Sequence, residues 1–171
     1  YSAPGTAVKE AYEASGIVTN DRGITVWLKG NRVSRNQIMA IKEESTTEQK
    51  NSLTVCLDNI LRHAGITRNT EYDLAQGRTA IEILSENMTG VQVLDLSGCS
   101  LDAVLYYVNQ DIPVLAILED GEAVLVTGFN EFNVVIMEPS TGKLYKKGMN
   151  DATTWFAENG NHFITYMKTE N

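Results

Sequence analysis

The apolar residues of this chain change period near residue 112, and that change constrains the fold more than any other feature of the sequence. Before it, Leu53, Cys56, Leu57, Ile60, Leu61 and Ala64 recur at the i, i+3, i+4, i+7 spacing of one buried helix face, and Gly65 stops the run. The pattern predicts further helices over residues 79–87 and 101–109, the latter capped by Ser100, with a strand at Val91-Gln92-Val93-Leu94 between them. After residue 112 the apolar residues form short runs instead: Pro113-Val114-Leu115-Ala116-Ile117-Leu118, Ala123-Val124-Leu125-Val126 and Val134-Val135-Ile136-Met137. Turn residues separate them at Glu119-Asp120-Gly121, at Asn130-Glu131 and at Ser140-Thr141-Gly142, so these runs read as strands of a meander. Leu144-Tyr145-Lys146 and Phe163-Ile164-Thr165-Tyr166 extend the sheet, and Asn150 is expected to cap a short helix through Trp155 and Phe156. A helical half followed by a mostly antiparallel sheet is the α+β order.

Two segments divide the chain. Residues 45–171 form the main domain, and residues 1–44 read as an N-terminal extension of helix, hairpin and helix. The first helix covers residues 6–14 and ends at Ser15-Gly16; the hairpin strands flank Asn20-Asp21-Arg22-Gly23; Ser34 with Gln37 three residues on opens a helix through Ile41. So short a segment cannot bury a core of its own, so it is expected to pack on the main domain. The stretch Trp27-Leu28-Lys29-Gly30-Asn31-Arg32 reads as a hairpin edge folded over the core, with a contact surface as the alternative. No internal repeat is visible, and no apolar run approaches a membrane span.

Charge narrows the partners. The formal net charge is -8, and residues 79–142 contain ten acids and no Lys or Arg. Such a field repels phosphate backbones and anionic lipid, which argues against nucleic-acid or membrane-surface binding and leaves cationic peptides or metal ions as partners. A solvated acidic face that serves solubility accounts for the same pattern. Two cysteines, Cys56 and Cys99, cannot define a disulfide framework, and His63 and His162 have no zinc-site spacing, so no metal site and no cofactor are expected.

The helix ending in Leu61-Arg62-His63-Ala64-Gly65-Ile66, the segment Ile112-Pro113-Val114, the strand Gly121-Glu122-Ala123-Val124-Leu125-Val126-Thr127-Gly128-Phe129, and Asn133-Val134-Val135-Ile136-Met137-Glu138-Pro139 followed by Ser140-Thr141-Gly142 together resemble the double-glycine leader peptidases, which process bacteriocins. These are papain-like cysteine peptidases, and the resemblance spans roughly residues 45–167. It implies a papain-like fold, a nucleophile at the start of the helix, a base opening the later strand and an orienting acid before the proline of the next. Those positions fall on Ser52, Glu122 and Glu138, where the family has Cys, His and Asp, and the oxyanion-stabilising glutamine position falls near Gln49. A carboxylate cannot activate a thiol as imidazole does near neutral pH. The strand that begins after Glu122 is expected to be half-buried.

Other thiols could supply chemistry. Cys56 lies on the apolar stripe and is expected in the core, whereas Cys99, just before a helix in Ser97-Gly98-Cys99-Ser100, is better placed electrostatically for a reactive thiol. His63 near a helix C-terminus suits a capping or surface role. Glu122 and Glu138, if they line one cleft, would raise one carboxyl and share a proton; as separate strand-end groups they would be ordinary solvated carboxylates. The expectation is a catalytically silent peptidase-like domain that binds a peptide or protein segment, a module of a larger, extracytoplasmic bacterial protein. The alternatives are an active cysteine peptidase or amidase with a displaced nucleophile, and a carboxylate-pair hydrolase or cation-binding module.

Overall fold

A computed structural model describes residues 4–14, 16–19, 22, 25–28 and 51–169. Six helices and eight strands lie among them: α1 (Pro4–Ala14), β1 (Ile17–Thr19), β2 (Thr25–Leu28), α2 (Ser52–His63), α3 (Thr70–Ala75), α4 (Ala80–Asn87), β3 (Val91–Asp95), α5 (Leu101–Val108), β4 (Val114–Ile117), β5 (Ala123–Phe129), β6 (Asn133–Glu138), β7 (Lys143–Gly148), α6 (Met149–Glu158) and β8 (His162–Lys168). The helix expected over residues 34–41, Gln49, Lys29 and Arg32 lie outside the described residues.

The expected division into a helical half and a sheet holds. β3 to β8 form one antiparallel sheet in the order β3-β8-β4-β5-β6-β7, so the last strand inserts between the first and the meander. β1 and β2 make a separate hairpin. α2 presents Cys56, Leu57, Ile60 and Leu61 to the core, all at most 1% exposed, and packs on β5. Each fully buried Leu or Ile contributes about 1.5–3 kcal/mol, so this stripe alone is a substantial anchor.

β5 departs from expectation. Every residue from Ala123 to Phe129 is buried, because the strand is flanked by β4 and β6 and contacted by both α2 and α5. Its unbroken apolar run is the mark of a strand covered on two faces rather than one. A bulge at Thr127 shifts its register on β6, and the Thr127 hydroxyl donates to the Val135 carbonyl at 3.4 Å. The β4–β5 turn needs Gly121, at φ +87°, where a side chain would be strained.

The N-terminal elements contact the main body through specific bonds. Trp27 is 2% exposed and donates from Nε1 to the Ala103 carbonyl at 2.9 Å, while Tyr107 donates to the Val26 carbonyl at 2.9 Å. Trp27 is thus part of the core, with Tyr12 and Tyr106 against its ring. At Gly5 a Cβ would stand 3.0 Å from the Asp95 carbonyl oxygen, so only glycine lets α1 approach the end of β3 this closely.

Helix starts differ in detail from expectation. Asn51 caps α2 by accepting from the Leu53 N–H at 2.8 Å. α6 begins at Met149 after Gly148, with no side-chain cap, so Asn150 lies inside the helix. The short helix α3 has no counterpart in the sequence reading. It is held by Arg68, which donates to both oxygens of Asp73 at 3.0 Å, and by Thr70, whose hydroxyl donates to Asp58 at 2.6 Å.

Candidate functional site

The start of α2 and the start of β5 meet. Asn51 ends the preceding segment and turns Ser52 into the first helical position, where its Oγ accepts from the Ala123 N–H at 2.9 Å. Ala123 directly follows Glu122, so the two positions matched to nucleophile and base are adjacent in space across the helix–sheet boundary. Glu122 itself is exposed, and its N–H donates to Asp120 Oδ1 at 2.9 Å, closing the turn before the strand. The Leu118 N–H donates to the Glu122 carbonyl at 2.7 Å and fixes the backbone there.

Glu138 ends β6, and its side chain curls into its own turn. The Ser140 N–H donates to Oε1 at 3.2 Å, the Ser140 hydroxyl donates to Oε2, and the Thr141 hydroxyl donates to Oε2 at 3.3 Å. Burial pushes this carboxyl up, but the hydrogen bonds from Ser140 and Thr141 outweigh burial and hold it below the usual glutamate value. Its charge also raises the Tyr145 phenol, after burial as the larger cause. Glu138 therefore reads as an ionised carboxylate engaged in the β6–β7 turn, with no shared proton.

Both thiols lie inside the protein. Cys56 is completely buried one turn into α2, and burial, followed by the nearby charge of Glu138, drives its thiol far above the usual range. Cys99 is also completely buried; its Sγ donates to the Gly5 carbonyl at 3.3 Å, and burial pushes its thiol up to about 11. The exposed, electropositive setting that activates a thiol is absent at both. The position of Cys99 ahead of α5 is as the sequence suggested, but α1 covers it.

The histidines are engaged elsewhere. His162 Nδ1 stands 3.1 Å from the Ser97 hydroxyl, which donates to Asp95 Oδ1 at 2.6 Å. A hydroxyl, an imidazole and a carboxylate thus gather at the β3–β8 edge, yet the carboxylate holds the hydroxyl proton that an imidazole base would need to take. Register places His162 opposite Ile117 and Ile117 opposite Ala123, so the ring's backbone lies two strand spacings, roughly 10 Å, from Ala123. His63, at the far end of α2, bonds through Nε2 to the Asp111 carbonyl at 3.0 Å. The Asp95-Ser97-His162 cluster was missed in the sequence, where only the Asp-x-Ser turn pattern could have hinted at it.

Among the described residues no group of three His, Cys, Asp or Glu side chains could hold a metal ion, and no helix is long and apolar enough to cross a membrane.

No protein-family model matches this chain, and comparison with curated proteins gives no match. Among solved structures, the crystal structure of a Bacillus anthracis protein described as a C39-like peptidase matches with a TM-score of 0.64 at 14% identity, covering 80% of this chain and 100% of that one. At that identity the likeness speaks for architecture alone. The chain has the papain-type fold of C39-like peptidases, as the strand half of its sequence suggested.

Proposed function

We propose that this chain is a peptidase-fold domain that holds a peptide or protein segment, without cutting it, in a cleft where α2 meets β5. One observation carries the reading: at the position matched to the nucleophile, Ser52 Oγ accepts a backbone N–H from Ala123, beside Glu122 rather than an imidazole. A serine hydroxyl without an adjacent imidazole is a weak nucleophile, and a carboxylate does not substitute for histidine in activating it. Burial of both thiols removes the other candidates from the solvent-facing surface.

The segment that fits is extended and cationic. Glu119, Asp120 and Glu122 crowd the turn leading into β5, and Glu138 ends the neighbouring strand, within a stretch free of Lys and Arg. Such a field favours Lys- or Arg-containing peptides and disfavours acidic ones. The domain would act as a module of a larger, extracytoplasmic bacterial protein, presenting this cleft to a partner segment.

The test is turnover of a peptide library by the chain, together with labelling by thiol-directed peptide inhibitors. The expected result is no cleavage above background and no label. Cleavage that disappears in Cys56→Ala or Cys99→Ala would replace this reading with that of a cysteine peptidase whose nucleophile has moved.

A further inference from the structure

The chain contains one Asn-Gly step and one Asp-Gly step, Asn159-Gly160 and Asp120-Gly121. At such steps the side-chain carbonyl carbon is open to attack by the next backbone nitrogen, because glycine puts no side chain in the way. The fold brings the two steps to opposite sides of one hydrogen bond. Asn159 closes α6, and its Oδ1 accepts from the Glu119 N–H at 3.1 Å. Glu119 opens the turn that carries Asp120-Gly121 into β5. No sequence motif links positions 119 and 159.

At both steps the attacking nitrogen is already engaged. The Gly160 N–H donates to the Ala157 carbonyl at 3.0 Å and the Asn161 N–H to the Phe156 carbonyl at 2.9 Å. These two bonds make a Schellman helix end, with Gly160 in the left-handed position at φ +89°. A Cβ there would stand 3.2 Å from His162 Cδ2, so the residue that makes the step labile is also the one the turn requires. The Asn159 carboxamide is held twice: besides accepting from Glu119, it donates from Nδ2 to the Trp155 carbonyl at 2.9 Å. Across that bond the Gly121 N–H donates to the Leu118 carbonyl at 3.0 Å, and Asp120 Oδ1 accepts from the Glu122 N–H at 2.9 Å. Each glycine nitrogen thus faces a backbone carbonyl rather than the side-chain carbon it would attack.

We infer that Asn159 is a deamidation site that the contact between α6 and the β4–β5 turn keeps shut, so that opening of this contact exposes the chain to an irreversible change. In the open chain the Gly160 nitrogen gives up its proton and bonds to Asn159 Cγ, and the carboxamide nitrogen leaves as ammonia. Water then opens the cyclic imide at either carbonyl, giving aspartate or isoaspartate. Neither product rebuilds the clamp. Aspartate has no N–H for the Trp155 carbonyl, and it adds negative charge at a helix C-terminus next to Glu158 and facing the acidic turn of Glu119 and Asp120. Isoaspartate inserts an extra methylene into the backbone of the Schellman turn. With α6 loosened, the turn that leads to Glu122 loses the side chain that held it.

The test is prolonged incubation of the full chain in mildly alkaline buffer, in sub-denaturing urea and fully unfolded, with peptide mapping by mass spectrometry for amide-to-acid conversion at Asn159. Hydrogen exchange of the Glu119 amide is followed in the same samples. Only the open fraction reacts, so conversion in the native chain should be at least about tenfold slower than in the unfolded one, and should rise in step with Glu119 exchange as urea is added. In an Asn159→Asp chain, the Glu119 and Asn161 amides should exchange about tenfold faster than in the parent. Conversion of the native chain at the unfolded rate, a rate that stays flat while Glu119 exchange climbs, or unchanged protection of both amides in Asn159→Asp would each overturn the assignment.

Discussion

The two ends of α2 are built from the same helix and do opposite things with their polar groups. At the Ser52 end the polar groups bond within the protein: the Ala123 N–H to Ser52, the Glu122 N–H to Asp120, and Ser140 and Thr141 to Glu138. At the His63 end a cavity of about 650 Å³ brings His63, Asp111, Tyr166 and Lys168 around open space. One helix thus begins among polar groups that close on the backbone and ends beside open space.

The comparison can be broken most severely through the helix both ends share. Leu57→Ala removes a completely buried side chain from α2 and should cost about 2–5 kcal/mol in urea denaturation. Amides at Ser52 and His63 should lose protection together; loss at one end with the other intact would mean that the two are not carried by one rigid element.

A smaller effect separates buried thiols from either end. Cys99 in the folded chain is raised to about 11 from an ordinary 9.0, so the native state keeps its proton longer than the unfolded state. Its contribution is therefore complete below pH 9.0 and is lost as pH climbs through about 11. Stability should fall by roughly 2–3 kcal/mol across that window, and Cys99→Ala should flatten the decline. A thiol that alkylates readily at neutral pH in the native chain would contradict this burial.

The gentlest probe is Ser52→Ala. It removes the acceptor of the Ala123 N–H and should cost about 1 kcal/mol. The Ala123 amide should shift while those of His63 and Gly90 stay fixed, which would sharpen the distinction between the two ends. A shift that spreads to the cavity would tie them together.

Much of the fold was legible because its signals are local. The turns at Gly121 and Gly142, the run from Ala123 to Phe129 and the stripe through Leu57 and Ile60 are each contained within a few residues. What escaped depends on distant partners. α3 has only six residues, too few to show a period, and is held by Arg68 from outside its own span. Asn51 and Ser52 are both good caps, and only geometry chose between them. The burial of Cys99 depends on α1, whose Gly5 lies 94 residues away in sequence. The cavity draws on positions 63, 111, 166 and 168, which no motif links.

The most direct measurement is an amide NMR titration of the chain with a Lys- and Arg-containing peptide, followed by mass spectrometry of the peptide after prolonged incubation. Saturable shifts at Ser52, Ala123 and the 138–141 turn, with the peptide recovered intact, are the predicted result. Recovery of cleaved peptide, or no shift at the meeting of α2 and β5, would contradict it.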